Sequence, residues 1–83
     1  MRRIGKVLHV CRSGEVIVRA EGDLVPRIGD RVLDPDLRQV GVVIDVFGPV
    51  ASPYVAVRPL VDDPSRLVGR VLYVGRRRRR WRN

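Results

Sequence analysis

A chain of 83 residues allows one domain with a small core, and chains of about 60 residues already fold alone. Apolar residues make up 45% and aromatics only 5%, so the core must come from Val, Leu and Ile. Of the 17 basic residues, six fall in 76–82, leaving 11 against 9 acids elsewhere, a body of only +2 within a chain of +8. This distribution argues against a fold that carries its own large basic patch.

The β-branched bias favours strands, because these side chains lose rotamer freedom in a helix and fit a pleated surface. The first strand is Gly5-Lys6-Val7-Leu8-His9-Val10, and Arg12-Ser13-Gly14 is a tight hairpin turn into Gly14-Glu15-Val16-Ile17-Val18-Arg19. A longer loop, Glu21 to Asp30, contains Pro26 and Gly29, and Asp34-Pro35-Asp36 is a second turn. The segment Gly41 to Val57 then reads as two apolar strands joined by a proline-braced connection that begins at Gly48-Pro49. Asp62-Asp63-Pro64-Ser65 is a further turn, residues 63–68 form at most one helical turn, and Gly69-Arg70-Val71-Leu72-Tyr73-Val74 is the last strand. Six short strands with this punctuation predict an all-β fold: a small, closed, six-stranded antiparallel β-barrel over residues 1–75, followed by a basic disordered tail, 76–83.

Three of the strands fit Gly-x-Val-(Leu/Ile)-x-Val, beginning at Gly5, Gly41 and Gly69, at unequal offsets of 36 and 28 residues. Unequal spacing excludes a solenoid and points to one barrel making similar demands on several strands. Strict alternation assigns Leu8, Val10, Ile44, Val46, Leu72 and Val74 to the interior. It sends Val7, His9, Val43, Asp45, Val71 and Tyr73 outward. A bulge at one of the glycines would flip a strand.

Little in the chain points to catalysis. Asp34, Asp36, Asp62 and Asp63 occupy turn positions, and Asp45 has no His or Cys partner to make it a base. Cys11 is the only cysteine, which excludes an intramolecular disulfide, and with one histidine, His9, it falls short of the roughly four ligands of a metal site. No phosphate-cradling glycine motif occurs, and the four aromatics are not interleaved with basic residues on one strand. No apolar run reaches the about 18 residues of a membrane helix, and no signal segment precedes the first strand, which together read as a soluble intracellular protein. No enzyme, metal, cofactor, membrane or small-molecule substrate is expected. The tail, Arg76, Arg77, Arg78, Arg79, Arg80 and Arg82 around Trp81, is expected to be a disordered arm for RNA phosphates, salt-sensitive and blind to sequence.

The run Gly41-x-Val43-x-Asp45-Val46-Phe47-Gly48-Pro49-Val50-x-x-Pro53-Tyr54-Val55-Ala56-Val57 closely resembles the core of the glycine-arginine-rich small barrel family of H/ACA ribonucleoproteins. Ile4 to His9, Gly29 to Asp34 and Gly69 to Val74 resemble its first, third and last strands, so the likeness spans residues 3–75. The resemblance implies a non-enzymatic barrel docked on the catalytic domain of the RNA-guided pseudouridine synthase, assisting substrate RNA placement and turnover in rRNA pseudouridylation. It implies action through the synthase's mobile thumb loop, with guide and substrate RNA met through the complex. Without long Gly-Arg repeats, the chain looks like the compact archaeal form, hence cytoplasmic, the nucleolus being expected only for a eukaryotic relative. The family's assembly factor shares the barrel but carries long extensions. The expected docking residues are Val43, Asp45, Phe47, Gly48, Pro49, Val50, Pro53 and Tyr54, with Phe47 readable equally as core. The competing reading is a ribosomal-protein-like barrel that binds RNA directly.

Overall fold

The computed structural model describes residues 2–21 and 24–75. Six strands, β1 (Arg2–Val10), β2 (Val16–Arg19), β3 (Arg31–Leu33), β4 (Gln39–Phe47), β5 (Tyr54–Pro59) and β6 (Val71–Gly75), close into one antiparallel barrel. The strand order is β1-β2-β5-β4-β3-β6. A single 3-10 turn, Pro64–Leu67, precedes β6 and contributes buried Leu67. The expected fold class is therefore observed over the body of the chain. The tail expected to be a disordered RNA arm lies outside the described residues.

Turn chemistry sets the strand ends. The Gly14 N–H donates to the Cys11 carbonyl (2.9 Å) and the Cys11 N–H to the Glu15 carbonyl (2.8 Å), which closes the β1–β2 hairpin. At the β3–β4 turn one Asp34 carboxylate oxygen accepts the N–H groups of Asp36 (2.9 Å) and Arg38 (3.0 Å), the local role that favours aspartate in turns. The long β2–β3 loop ends by extending the β3–β4 ladder: the Gly29 N–H donates to the Val43 carbonyl and the Val43 N–H to the Asp30 carbonyl.

The barrel carries an internal symmetry. Exchanging β1 with β4, β2 with β5 and β3 with β6 leaves the strand order unchanged. Register repeats as well: Val7 faces Val18 as Val43 faces Val57, His9 faces Ile17 as Asp45 faces Ala56, and Val10 faces Val16 as Val46 faces Val55. The two strands that share the 36-residue offset, β1 and β4, are thus symmetry mates. Their glycines do the same job, because a Cβ on Gly5 would strike the Arg19 carbonyl and one on Gly41 would strike the Arg58 carbonyl. Both glycines permit close crossing of two backbones, and each also stands next to a shift of register, Gly5 after Ile4 and Gly41 after Val40.

Both long strands hold bulges, and these overturn part of the alternation. One residue is inserted at Leu8 against β2 and one at Ile44 against β5, with further shifts near Ile4 against β6 and Val40 against β3. Inward residues on these strands therefore fall three apart: Ile4, Val7 and partly buried Val10 on β1; Val40, Val43 and partly buried Val46 on β4. Val7 and Val43, expected outside, are core residues, and Leu8 and Ile44, expected inside, face outward. The Leu72, Val74, His9 and Asp45 assignments hold, because β6 carries no insertion and a bulge leaves the residue after it on the outer side. Val71 and Tyr73 are half-buried on the outer side of β6. Valines from all six strands, with Ile4, Leu72 and Leu67, fill the barrel, and among the described residues no aromatic ring is part of this core.

Candidate functional site

The two bulges create a surface. A bulge places two consecutive side chains opposite one partner residue. Leu8 and His9 together oppose Ile17, and Ile44 and Asp45 together oppose Ala56, while Ile17 and Ala56 face each other across β2 and β5. One row thus crosses four strands as Leu8/His9, Ile17, Ala56, Ile44/Asp45, about 15 Å from end to end at the usual strand spacing. The next row is Arg19, Tyr54 and Phe47.

This outer wall is apolar and ordered. Leu8 is 43% exposed and Phe47 45%, whereas Ile17, though it points outward, is only 6% exposed. A shallow depression of about 350 Å³ lies over Ile17, lined by Leu8, His9, Cys11, Phe47 and Tyr54. The Phe47 and Tyr54 rings stack with centroids 5.7 Å apart and planes at 30°. Such pairs contribute about 0.5–1.5 kcal/mol beyond the area they bury. The Arg19 guanidinium carbon sits 5.8 Å from the Tyr54 centroid, and Arg19 Nε donates to Ser52 Oγ (3.0 Å), which in turn donates to the Ala20 carbonyl (3.1 Å). Arginine, serine and the two rings thereby form one preorganised edge.

The expected docking residues divide three ways. Phe47 and Tyr54 lie in the wall, and Asp45 sits at its edge, exposed, with one carboxylate oxygen accepting the Val46 N–H (2.9 Å). Asp45 is the one acid in any strand. Gly48, Pro49 and Val50 form the exposed β4–β5 loop below the rings, Val50 at 96% exposure. Gly48 has φ +91°, and a Cβ there would lie 2.8 Å from Tyr54 Cδ2, so glycine preserves the stack. Val43 and Pro53 are corrections, since both are buried and offer no surface: Val43 because of the Ile44 bulge, Pro53 because the chain tucks in to let its carbonyl accept the Ala20 N–H (2.9 Å).

Leu8, Ile17, Ile44, Ala56 and Arg19 belong to this wall and were missed. The available signal was the dipeptide after Gly-x-Val, which reads Leu8-His9 and Ile44-Asp45, an apolar residue followed by a polar one. It is ambiguous, because the third copy has Leu72-Tyr73 without a bulge and keeps Leu72 inside. Among the described residues no three His, Cys, Asp or Glu side chains gather to hold a metal ion. The wall offers shape, apolar area, His9 and Cys11 at the depression, and one carboxylate at its edge.

The model of the Gar1/Naf1 RNA binding region matches residues 1–77. An uncharacterized protein of Methanothermobacter thermautotrophicus is 34% identical over 79 residues, covering 90% of this chain and 84% of that protein. An uncharacterized protein of Methanocaldococcus jannaschii is 34% identical over 58 residues, covering 70% of this chain and 68% of that one. The six-stranded barrel and the match over nearly its whole length place this chain in the Gar1/Naf1 RNA-binding family, an accessory rather than catalytic family related to H/ACA ribonucleoproteins.

Proposed function

We propose that this chain is a non-catalytic subunit of an H/ACA ribonucleoprotein that seats its apolar wall on the catalytic domain of the RNA-guided pseudouridine synthase. In that position it promotes placement and release of substrate RNA during rRNA pseudouridylation, acting on the synthase's mobile thumb loop. One observation carries the reading: in a family of RNA-binding accessory proteins, this member keeps a four-strand apolar wall with a stacked aromatic pair on its outside. Interface centres are depleted of charge and enriched in aromatic residues, and the wall has that composition.

The roles follow from position. Phe47, Leu8 and the rim of the depression over Ile17 are the anchors, Tyr54 and Arg19 hold the Phe47 ring in place, and Asp45 pairs with a cation of the partner at the margin. Gly48, Pro49 and Val50 extend the contact along the β4–β5 loop. The wall is preorganised by strands on both sides, so little conformational entropy is lost on docking. The tail arginines, Arg76 to Arg80 and Arg82, add a sequence-blind contact to RNA within the particle.

The test is co-purification with the H/ACA pseudouridine synthase, followed by multiple-turnover assays of the reconstituted particle. Wild-type protein is expected to bind and to raise the turnover rate, and Phe47→Glu to do neither while its melting temperature stays near wild type. Retained binding by folded Phe47→Glu together with Leu8→Glu removes the wall from the interface. A particle whose rate ignores the protein refutes the accessory role.

A further inference from the structure

The barrel has a second wall, centred on β6 and β3, opposite the apolar one in the strand order. With Leu72 and Val74 inside, Val71 and Tyr73 face outward. Register places Arg3 beside Tyr73 and Lys6 beside Val71 on β1, and Leu33 beside Tyr73 and Arg31 beside Gly75 on β3. Neither β1, β3 nor β6 contains an acid. Arg3 is paired with Glu21 (2.9 Å), both side chains about half exposed, whereas Lys6 and Arg31 have no ion pair among the described residues. Arg31 uses its Nε on Gln39 Oε1 (3.3 Å). After Gly75, the end of this wall's central strand, the sequence continues directly into five arginines.

We propose that this basic wall is where the barrel itself meets RNA. A single strand lies across β1, β6 and β3, a strip about 10 Å wide at the usual strand spacing, with phosphates against Lys6 and Arg31 and a base on the exposed part of Tyr73. The chemistry recognised is the phosphodiester backbone with one unstacked base, on a folded surface that the near-neutral total charge of the body conceals. The acids that balance the body sit in loops and turns, apart from Asp45, which is on the opposite wall. The inference rests on the family's RNA-binding role and says which face exercises it. It also allows RNA and protein to be held at once, on different sides.

The experiment is fluorescence anisotropy of a labelled, mixed-sequence single-stranded RNA titrated with the full-length chain over a series of salt concentrations. Each lost phosphate contact lowers the slope of log affinity against log salt by about 0.7 for single strands, so Lys6→Gln with Arg31→Gln is expected to reduce it by about 1.4. Arg12→Gln, on the exposed β1–β2 turn, is the control and leaves the slope unchanged. Tyr73→Leu keeps apolar packing but removes the ring, and is expected to weaken binding by about 5- to 150-fold. With the tail arginines changed to glutamine in the full-length chain, the drop of about 1.4 between wild-type and altered walls persists. A slope that ignores Lys6 and Arg31 in both tail backgrounds overturns the assignment while leaving RNA binding by the chain intact. A wild-type chain with no salt-dependent affinity for RNA overturns both the assignment and the RNA-binding reading beneath it.

Discussion

The apolar and basic walls share β1 yet offer opposite chemistry. β1 gives Arg3 and Lys6 to the basic wall and Leu8 and His9 to the apolar one, and β4 passes likewise from Val42 to Ile44, Asp45 and Phe47. The change of side comes at the bulges, where one inserted residue raises local twist and swings a long strand round the barrel. The internal symmetry exchanges the two halves of each wall, so the backbones at equivalent positions match while the side chains do not. Ile17 is equivalent to Ala56, Lys6 to Val42 and Arg31 to Val71. The repeated part of the chain builds the barrel; the unrepeated side chains make its surfaces different.

The bluntest way to break the comparison is to collapse both walls together. Leu72 is fully buried beneath the basic wall, and Leu72→Ala is expected to cost about 2–5 kcal/mol, a large share of the roughly 5–15 kcal/mol that holds a domain together. Chemical denaturation measures it, and loss of synthase and RNA binding in parallel is the expected consequence. Next comes the apolar wall alone. Phe47→Glu or Leu8→Glu puts a charge at the centre of the contact, and a loss of at least about 2 kcal/mol, some 30-fold in affinity for the synthase, is expected by calorimetry, with the RNA salt slope unchanged.

Smaller changes sharpen the boundary. Arg19→Gln removes the cation over Tyr54 and is expected to weaken synthase binding by about 0.5–1 kcal/mol. Val50→Glu, on an almost fully exposed loop residue, is expected to leave stability within about 0.5 kcal/mol of wild type. Its effect on synthase affinity measures how far the contact runs along the β4–β5 loop, and an effect as large as that of Phe47→Glu shifts the centre of the interface to that loop.

The barrel was legible because strand-forming residues and turn chemistry agree along the chain: Arg12 to Gly14, Asp34 to Asp36 and Asp62 to Ser65 all turn where expected. The docking stretch was half legible. Phe47, Tyr54 and Asp45 stood out as aromatic and acidic residues among valines, but their neighbours Leu8, Ile17 and Arg19 come from distant sequence and meet them only through strand pairing. Val43 and Leu8 were placed on the wrong sides because the insertions fall on Leu8 and Ile44, whose local signal, an apolar residue before a polar one, also occurs without a bulge at Leu72-Tyr73. The glycines drew attention to register, and Gly5 and Gly41 do stand beside register shifts, but they also serve backbone crossing, which the pattern did not show. Charge counted over the whole body also hid the basic wall, since the loop acids offset Lys6 and Arg31 in the sum, although among the described residues only Arg3 of this wall is ion-paired, with Glu21.

The most direct test of the central claim, that the apolar wall is the surface held by the pseudouridine synthase, is calorimetric titration of the synthase with Phe47→Glu and with Lys6→Gln plus Arg31→Gln. The account predicts that affinity falls at least about 30-fold for the first and stays at the wild-type value for the second, with both proteins folded. Wild-type affinity for folded Phe47→Glu, or a loss confined to the basic-wall variant, contradicts it.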